Sequence, residues 1–249
     1  MPGQELVFEN VIDNDQVTMM LQYSGFPAPL FKQNNRFLNR WHNERVERLF
    51  KEDIRDLTRV YDISTMLILT DLLPDRVGSV LSINALAKDL YVNFRTASNW
   101  LDILEQLFYC FRISPFYSKK IASVRKEKRM YLWDWSQVSN PANRLENMIA
   151  SHLLKFCDFF VDYHGYKTSL SFIRDNTGRE VDFLVCIDNK PWFAVEVKTS
   201  DTQISKQLLY FSKKLSIPYS YQVVLNTTED FISKGIRVMP VAKFLSGLI

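Results

Sequence analysis

The chain has 249 residues, 47% of them apolar and 24% charged, with a formal net charge of +3. These are the proportions of a globular protein of one large or two small domains, and so small a net charge does not by itself call for nucleic acid. No apolar run approaches the roughly 20 residues needed to span a bilayer. The opening Met1-Pro2-Gly3-Gln4-Glu5-Leu6 lacks the basic and apolar regions of a signal peptide, and the scattered glycines form neither a phosphate loop nor a dinucleotide-binding turn.

The N-terminal third reads as helical. A short helix is expected over residues 15–23, ending before the breaker cluster Gly25-Phe26-Pro27-Ala28-Pro29. A long amphipathic helix is expected over 35–58, with Phe37, Trp41, Val46, Leu49, Phe50, Ile54 and Leu57 as its apolar stripe. Another runs over 64–73 and stops at Pro74.

Ser82 is a natural N-cap for a helix reaching Leu90, and Asn93 for a second helix reaching Glu105. Two short helices on a tight turn describe a helix-turn-helix. Strands are expected over 107–113 and 130–133. Between them lie Lys119, Lys120, Arg125, Lys126, Lys128 and Arg129, interrupted only by the acid Glu127. A helix-turn-helix followed by a basic β-loop is a winged helix. Used on DNA, it would turn Arg95, Thr96 and Asn99 to the major groove and the wing cations to phosphates. Used for packing between protein domains, it would bury Phe94 and Trp100. Both uses fit the residues.

Pro141 is read as a hinge, after which the pattern turns α/β. A helix is expected over 144–156, a strand near 168–173, a hairpin over 179–198, a helix over 205–215, strands over 221–225 and 235–239, and a short terminal helix. The expected organisation is a helical and winged-helix region over 1–140 and an α/β domain over 141–249. Cys110, Cys157 and Cys186 are single and sit in apolar stretches, as free thiols buried in a reducing cytoplasm would. His42, His152 and His164 lack metal-ligand spacing.

The hairpin concentrates the chemistry. Two β-branched runs, Arg179 to Ile187 and Trp192 to Lys198, flank Asp188-Asn189-Lys190-Pro191. Side chains alternate along a strand. Asp182 therefore opposes the face of Val181, Phe183 and Val185, while Ala194, Glu196 and Lys198 oppose Phe193, Val195 and Val197. Two carboxylates and an ammonium share one side of an otherwise apolar sheet. Burying them is costly unless they pair or hold a metal. A structural ion pair at a sheet edge is one reading. A cation site is the other, since a hard cation such as Mg²⁺ takes one or two carboxylates plus waters and phosphate oxygens. Gln203 and Gln207, at the start of the following helix, are polar neighbours or simply solvated.

Asp182 followed one strand later by Glu196-Val197-Lys198, with Glu146 on an upstream helix, resembles the signature of the PD-(D/E)XK nuclease superfamily. The ordered marks Gly25-Phe26-Pro27, Trp41, Met130-Tyr131-Leu132-Trp133-Asp134-Trp135, Leu145-Glu146-Asn147, Glu180-Val181-Asp182-Phe183 and Val195-Glu196-Val197-Lys198 extend the likeness. Together they resemble the uncharacterised domain that follows the ATPase domain in a large family of prokaryotic AAA+ ATPases. The likeness spans roughly residues 21–248. Where that family often has glycine before the Leu-Glu-Asn helix, this chain has Asn143-Arg144.

The resemblance implies a winged helix followed by a restriction-endonuclease-like α/β domain, an α+β chain overall. It implies Mg²⁺ or Mn²⁺ held by Asp182, Glu196 and the Val197 carbonyl, with Lys198 activating water and Glu146 supporting the metal. It implies DNA and an ATPase domain or chain as partners, and no membrane. With no phosphate loop, no ATPase is expected here, and the chain reads as a C-terminal fragment, a split gene or a remnant. A DNA- or protein-docking module without turnover is the alternative to a nuclease.

Overall fold

A computed structural model describes residues 3–8, 13–54, 62–117 and 127–248. Lys119, Lys120, Arg125 and Lys126 lie outside them. The described residues are mixed α/β, and the chain forms two compact units. One, the sheet unit, comprises Met1–Val17, Ile113–Lys128 and Met148–Ile249. The other, the helical unit, comprises Thr18–Arg112 and Arg129–Asn147.

The helical unit holds most of α1 (Asn14–Tyr23), then α2 (Pro27–Lys32), α3 (Asn35–Arg48), α4 (Ile63–Leu72), α5 (Ile83–Asp89) and α6 (Phe94–Gln106). Of the long helix expected over 35–58, residues 35–54 are described and Leu57 lies outside them. Its α-helical part stops at Arg48 and passes into a wider π-helical turn, Leu49–Ile54. Helix α5 starts on Ser82, whose side chain accepts from the Ala85 amide, and α6 starts on Asn93, which accepts from Thr96. Each cap satisfies an amide that the helix leaves unpaired. In α6, Ala97, Trp100, Leu101, Ile103 and Leu104 are buried at helical spacing, whereas Phe94 is 51% exposed. Trp100 is thus core and Phe94 is not.

The ordered motifs of this unit meet in space. Trp135 donates from Nε1 to the Met20 carbonyl at 2.8 Å. A Cβ on Gly25 would lie 2.5 Å from the Trp135 ring, so only glycine lets the two approach. Phe26 packs on Trp41, and the Arg45 guanidinium stacks on Phe26 at 4.7 Å.

Helix α7 (Pro141–Asp162) runs from the helical unit into the sheet unit. Pro141 is its first residue and not a hinge. The Asn140 side chain accepts from the amides of Ala142 and Asn143, and proline suits the first helical position, where its missing N–H costs nothing.

An eight-stranded mixed sheet has the order β2-β1-β3-β4-β5-β6-β8-β7. Its strands are β1 (Cys110–Pro115), β2 (Arg129–Leu132), β3 (Thr168–Arg174), β4 (Glu180–Ile187), β5 (Lys190–Lys198), β6 (Tyr219–Val224), β7 (Phe231–Ser233) and β8 (Ile236–Pro240). The β3–β4 and β4–β5 pairs are antiparallel, and β5–β6 and β6–β8 are parallel. Helices α8 (Lys206–Leu215) and α9 (Val241–Ser246) complete the chain.

The β4–β5 turn is tighter than expected. Asp188 and Asn189 alone form it, both with positive φ, and Ile187 pairs with Lys190. Asp and Asn tolerate that left-handed geometry, which suits a two-residue hairpin. Pro191 falls at a register shift, where a residue without an amide proton is tolerated.

In the sheet unit Leu184, Cys186 and Ala194 pack against Leu208, Phe211 and Leu215 of α8. A chain of aromatic contacts links Phe156, Phe193, Tyr221 and Phe244. Each such side chain removed from water contributes about 1.5–3 kcal/mol.

Candidate functional site

Strand register assembles the site. Phe183 pairs with Val195 across β4 and β5. Asp182 and Glu196 are each one residue further on, and alternation sends both to the face of Leu184 and Ala194, which α8 covers. On the other side of β5, Glu196 is the register partner of Gln222 in β6.

Glu196 is 6% exposed. Its Oε1 accepts from Lys198 Nζ at 2.8 Å and from Ser205 Oγ at 3.2 Å. Its Oε2 is buried and has no hydrogen-bond partner among the described residues. Asp182 is half-buried, and its Oδ2 accepts from the Val197 amide at 2.9 Å. Burial first, and the neighbouring Asp182 charge second, push the Glu196 carboxyl up to about 7, outweighing Lys198. The paired carboxylates in turn raise the Lys198 ammonium above its ordinary value, against its own burial.

Two residues that the sequence did not single out hold this geometry. Gln222 is fully buried. Its Oε1 accepts from the Ser205 amide at 2.8 Å, and its Nε2 donates to the carbonyls of Asp201 and Gln203 at 3.0 and 2.9 Å. It clamps the β5–α8 loop so that Ser205 caps α8 through the Leu208 amide and also reaches Glu196. The available signal was a lone glutamine inside the apolar run of β6. Gln203 contributes only its carbonyl to this clamp. Gln207 Oε1 lies 3.4 Å from Ser205 Oγ.

Glu146 lies in the helical unit, where its Oε1 accepts from Tyr131 Oη at 2.7 Å and pairs with Arg129 at 3.3 Å. Beside it, the buried Asn147 side chain bonds both backbone groups of Leu132, as a neighbouring strand would. Arg129 is 2% exposed. It was expected among phosphate contacts, and its burial in the ion pair with Glu146 removes it from that set. Arg95, Asn99 and Lys128 are exposed and Thr96 is half-buried, its hydroxyl bonded to Asn93. Val197 contributes its amide, to Asp182.

Among the described residues no group of three or more His, Cys, Asp and Glu side chains gathers as a metal nest. Asp182 and Glu196 nonetheless fit a hard divalent cation, which asks for one or two carboxylates, and Glu196 Oε2 is an acceptor with nothing to accept from. Elsewhere, the helical unit has an open pocket of about 850 Å³ lined by the apolar Val46, Phe50, Ile63 and Leu67 and by the polar Asn43, Glu47, Lys51 and Asp71.

A family model described as a domain of unknown function (DUF8612) matches residues 14–143, more than half of the chain. The chain belongs to this family. A second model, also a domain of unknown function (DUF4143), matches residues 143–244. The DUF8612 stretch carries α1 through β2, and the DUF4143 stretch carries Asp182, Glu196, Lys198, Ser205 and Gln222. No curated protein and no solved structure matches the chain. No helix among the described residues is long and apolar enough to cross a membrane.

Proposed function

We propose that the β4–β5 hairpin carries a Mg²⁺- or Mn²⁺-dependent phosphodiester hydrolase site of PD-(D/E)XK build, acting on DNA, with Asp182 and Glu196 as the metal-holding carboxylates. The observation that carries this reading is the buried, unpartnered Oε2 of Glu196 beside a second carboxylate. A divalent ion bound there would act as a Lewis acid and lower the pKa of its water.

The chain's own residues do the rest. The Val197 amide fixes Asp182, and Ser205 fixes Glu196. Lys198, on the same carboxylate, would orient the attacking water and offset charge developing on the phosphate. The α5–α6 pair followed by β1 and β2 is proposed as a winged helix, with Arg95, Thr96, Asn99 and Lys128 as its DNA contacts. The setting is a reducing cytoplasm, supported by three buried free thiols.

One observation favours a second reading. The Lys198–Glu196 ion pair closes half of the site without any metal. Together with the match to a domain typically found in AAA-ATPase-associated proteins, it supports a non-catalytic docking module serving an ATPase partner.

Calorimetry with Mg²⁺ and Mn²⁺, and nicking of plasmid and single-stranded DNA, separate the two. A nuclease binds the metal and nicks DNA, and Asp182→Asn and Glu196→Gln each abolish nicking in a folded protein. A wild-type chain that neither binds divalent metal nor nicks leaves the docking module.

A further inference from the structure

The face of α8 turned away from the sheet has its own chemistry. Leu208, Phe211 and Leu215 bury one side of this helix. Lys206, Tyr210, Lys213 and Lys214 recur at helical spacing along the other. The helix has no acidic residue. Among the described residues none of the three lysines lies within ion-pair distance of a carboxylate.

A fourth cation is brought in from the β3–β4 loop. Asp175, 6% exposed, accepts from the amides of Thr177 and Arg179 and from Arg179 Nε. So braced, Arg179 stacks on the Tyr210 ring with its guanidinium carbon 4.0 Å from the centroid. Arg179 and Lys214 both donate to Tyr210 Oη, at 3.2 and 2.8 Å. Two cations converge on one neutral oxygen, and among the described residues Asp175 alone pairs with either of them.

Helix stability does not account for this arrangement. The helix dipole weakly favours Lys213 and Lys214 in the last turn, but it disfavours Lys206 in the first. The stripe starts one residue after Ser205, which touches Glu196, and runs about 12 Å to Lys214 at 1.5 Å per residue. It is narrow and linear, and its one aromatic ring is covered by Arg179. A membrane surface would ask instead for exposed apolar groups beside the cations.

We infer that Lys206, Lys213, Lys214 and Arg179 form a track for the phosphodiester backbone of a nucleic acid, leading along α8 to the Asp182–Glu196 site. The inference rests on the phosphodiesterase reading of that site and adds where the substrate chain lies. The contacts are to phosphate, which DNA and RNA share. They carry no base specificity.

The test is the salt dependence of binding of labelled DNA and RNA oligonucleotides of one sequence, in EDTA, followed by fluorescence anisotropy. Lys206→Gln/Lys213→Gln/Lys214→Gln should keep the wild-type circular dichroism and bind both nucleic acids more weakly. Its log–log salt slope should be smaller by about two units, at roughly 0.7–0.9 for each phosphate no longer neutralised. RNA binding weakened as much as DNA binding supports a backbone contact. Unchanged affinity and slope in the triple variant overturn the track, as does equal binding of polyglutamate or anionic vesicles. Should the wild type bind through these lysines without cleaving, the hydrolase reading fails and the track stands. Should it cleave, with the triple variant's KM unchanged, the track fails and the hydrolase reading stands.

Discussion

Lys198 Nζ lies 2.8 Å from Glu196 Oε1, while Oε2 of the same carboxylate is buried without a hydrogen bond. A surface ion pair would leave both oxygens to water. Here the lysine meets one oxygen only, and the other oxygen of Glu196 is left to a proton or a cation.

The first prediction is a pH dependence. The Glu196 carboxyl moves from 4.5 to about 7 on folding, so the folded chain holds its proton more tightly than the unfolded chain. The stability from the neutral carboxyl is present below about 4.5 and is lost as pH rises through about 7. In EDTA the melting temperature should fall across that window, and Glu196→Gln should flatten the fall. Mg²⁺ should bind with proton release, and its apparent affinity should rise over the same window. A wild-type curve that parallels that of Glu196→Gln would locate the titration elsewhere.

Gln222→Leu should cost about 2–3 kcal/mol, because it strands the Ser205 amide and two carbonyls that the glutamine now satisfies. Hydrogen exchange should rise in residues 199–205 before the rest of the sheet unit opens. Urea unfolding within a few tenths of a kcal/mol of wild type would mean that the clamp holds nothing.

Glu146→Ala should lower stability by about 1–3 kcal/mol, since it removes the acceptor for Tyr131 Oη and one partner of the buried Arg129. Glu146→Gln keeps the acceptor for Tyr131 and should cost less. A role confined to supporting a metal would leave the melting temperature of both variants, taken in EDTA, unchanged.

Gly25→Ala should destabilise the helical unit by about 1–3 kcal/mol, because the new methyl meets the Trp135 ring and either the ring or the turn must shift. Near-ultraviolet circular dichroism or tryptophan fluorescence should report the displaced indole. An unchanged spectrum with unchanged stability would show that the turn absorbs the methyl freely.

The sequence by itself determined the local elements and the composition of the site. Ser82 and Asn93 announce their helices because a capping side chain acts on an amide three residues away. Strand parity put Asp182, Glu196 and Lys198 on one face, because a two-residue period needs no knowledge of the partner strand. Contacts between residues distant in the chain had no such signal. Only the tertiary structure gave Glu146 to Arg129 and Tyr131, buried Arg129 although it ends a basic run, and turned Pro141 from a hinge into the first turn of a long helix. Gln222 and Ser205 became a clamp on Glu196 only when β6 was laid beside β5 and α8 across them. Whether a charge is solvated, paired or left wanting a cation depends on which groups exclude water around it. That is set by packing between elements and not by the residues on either side.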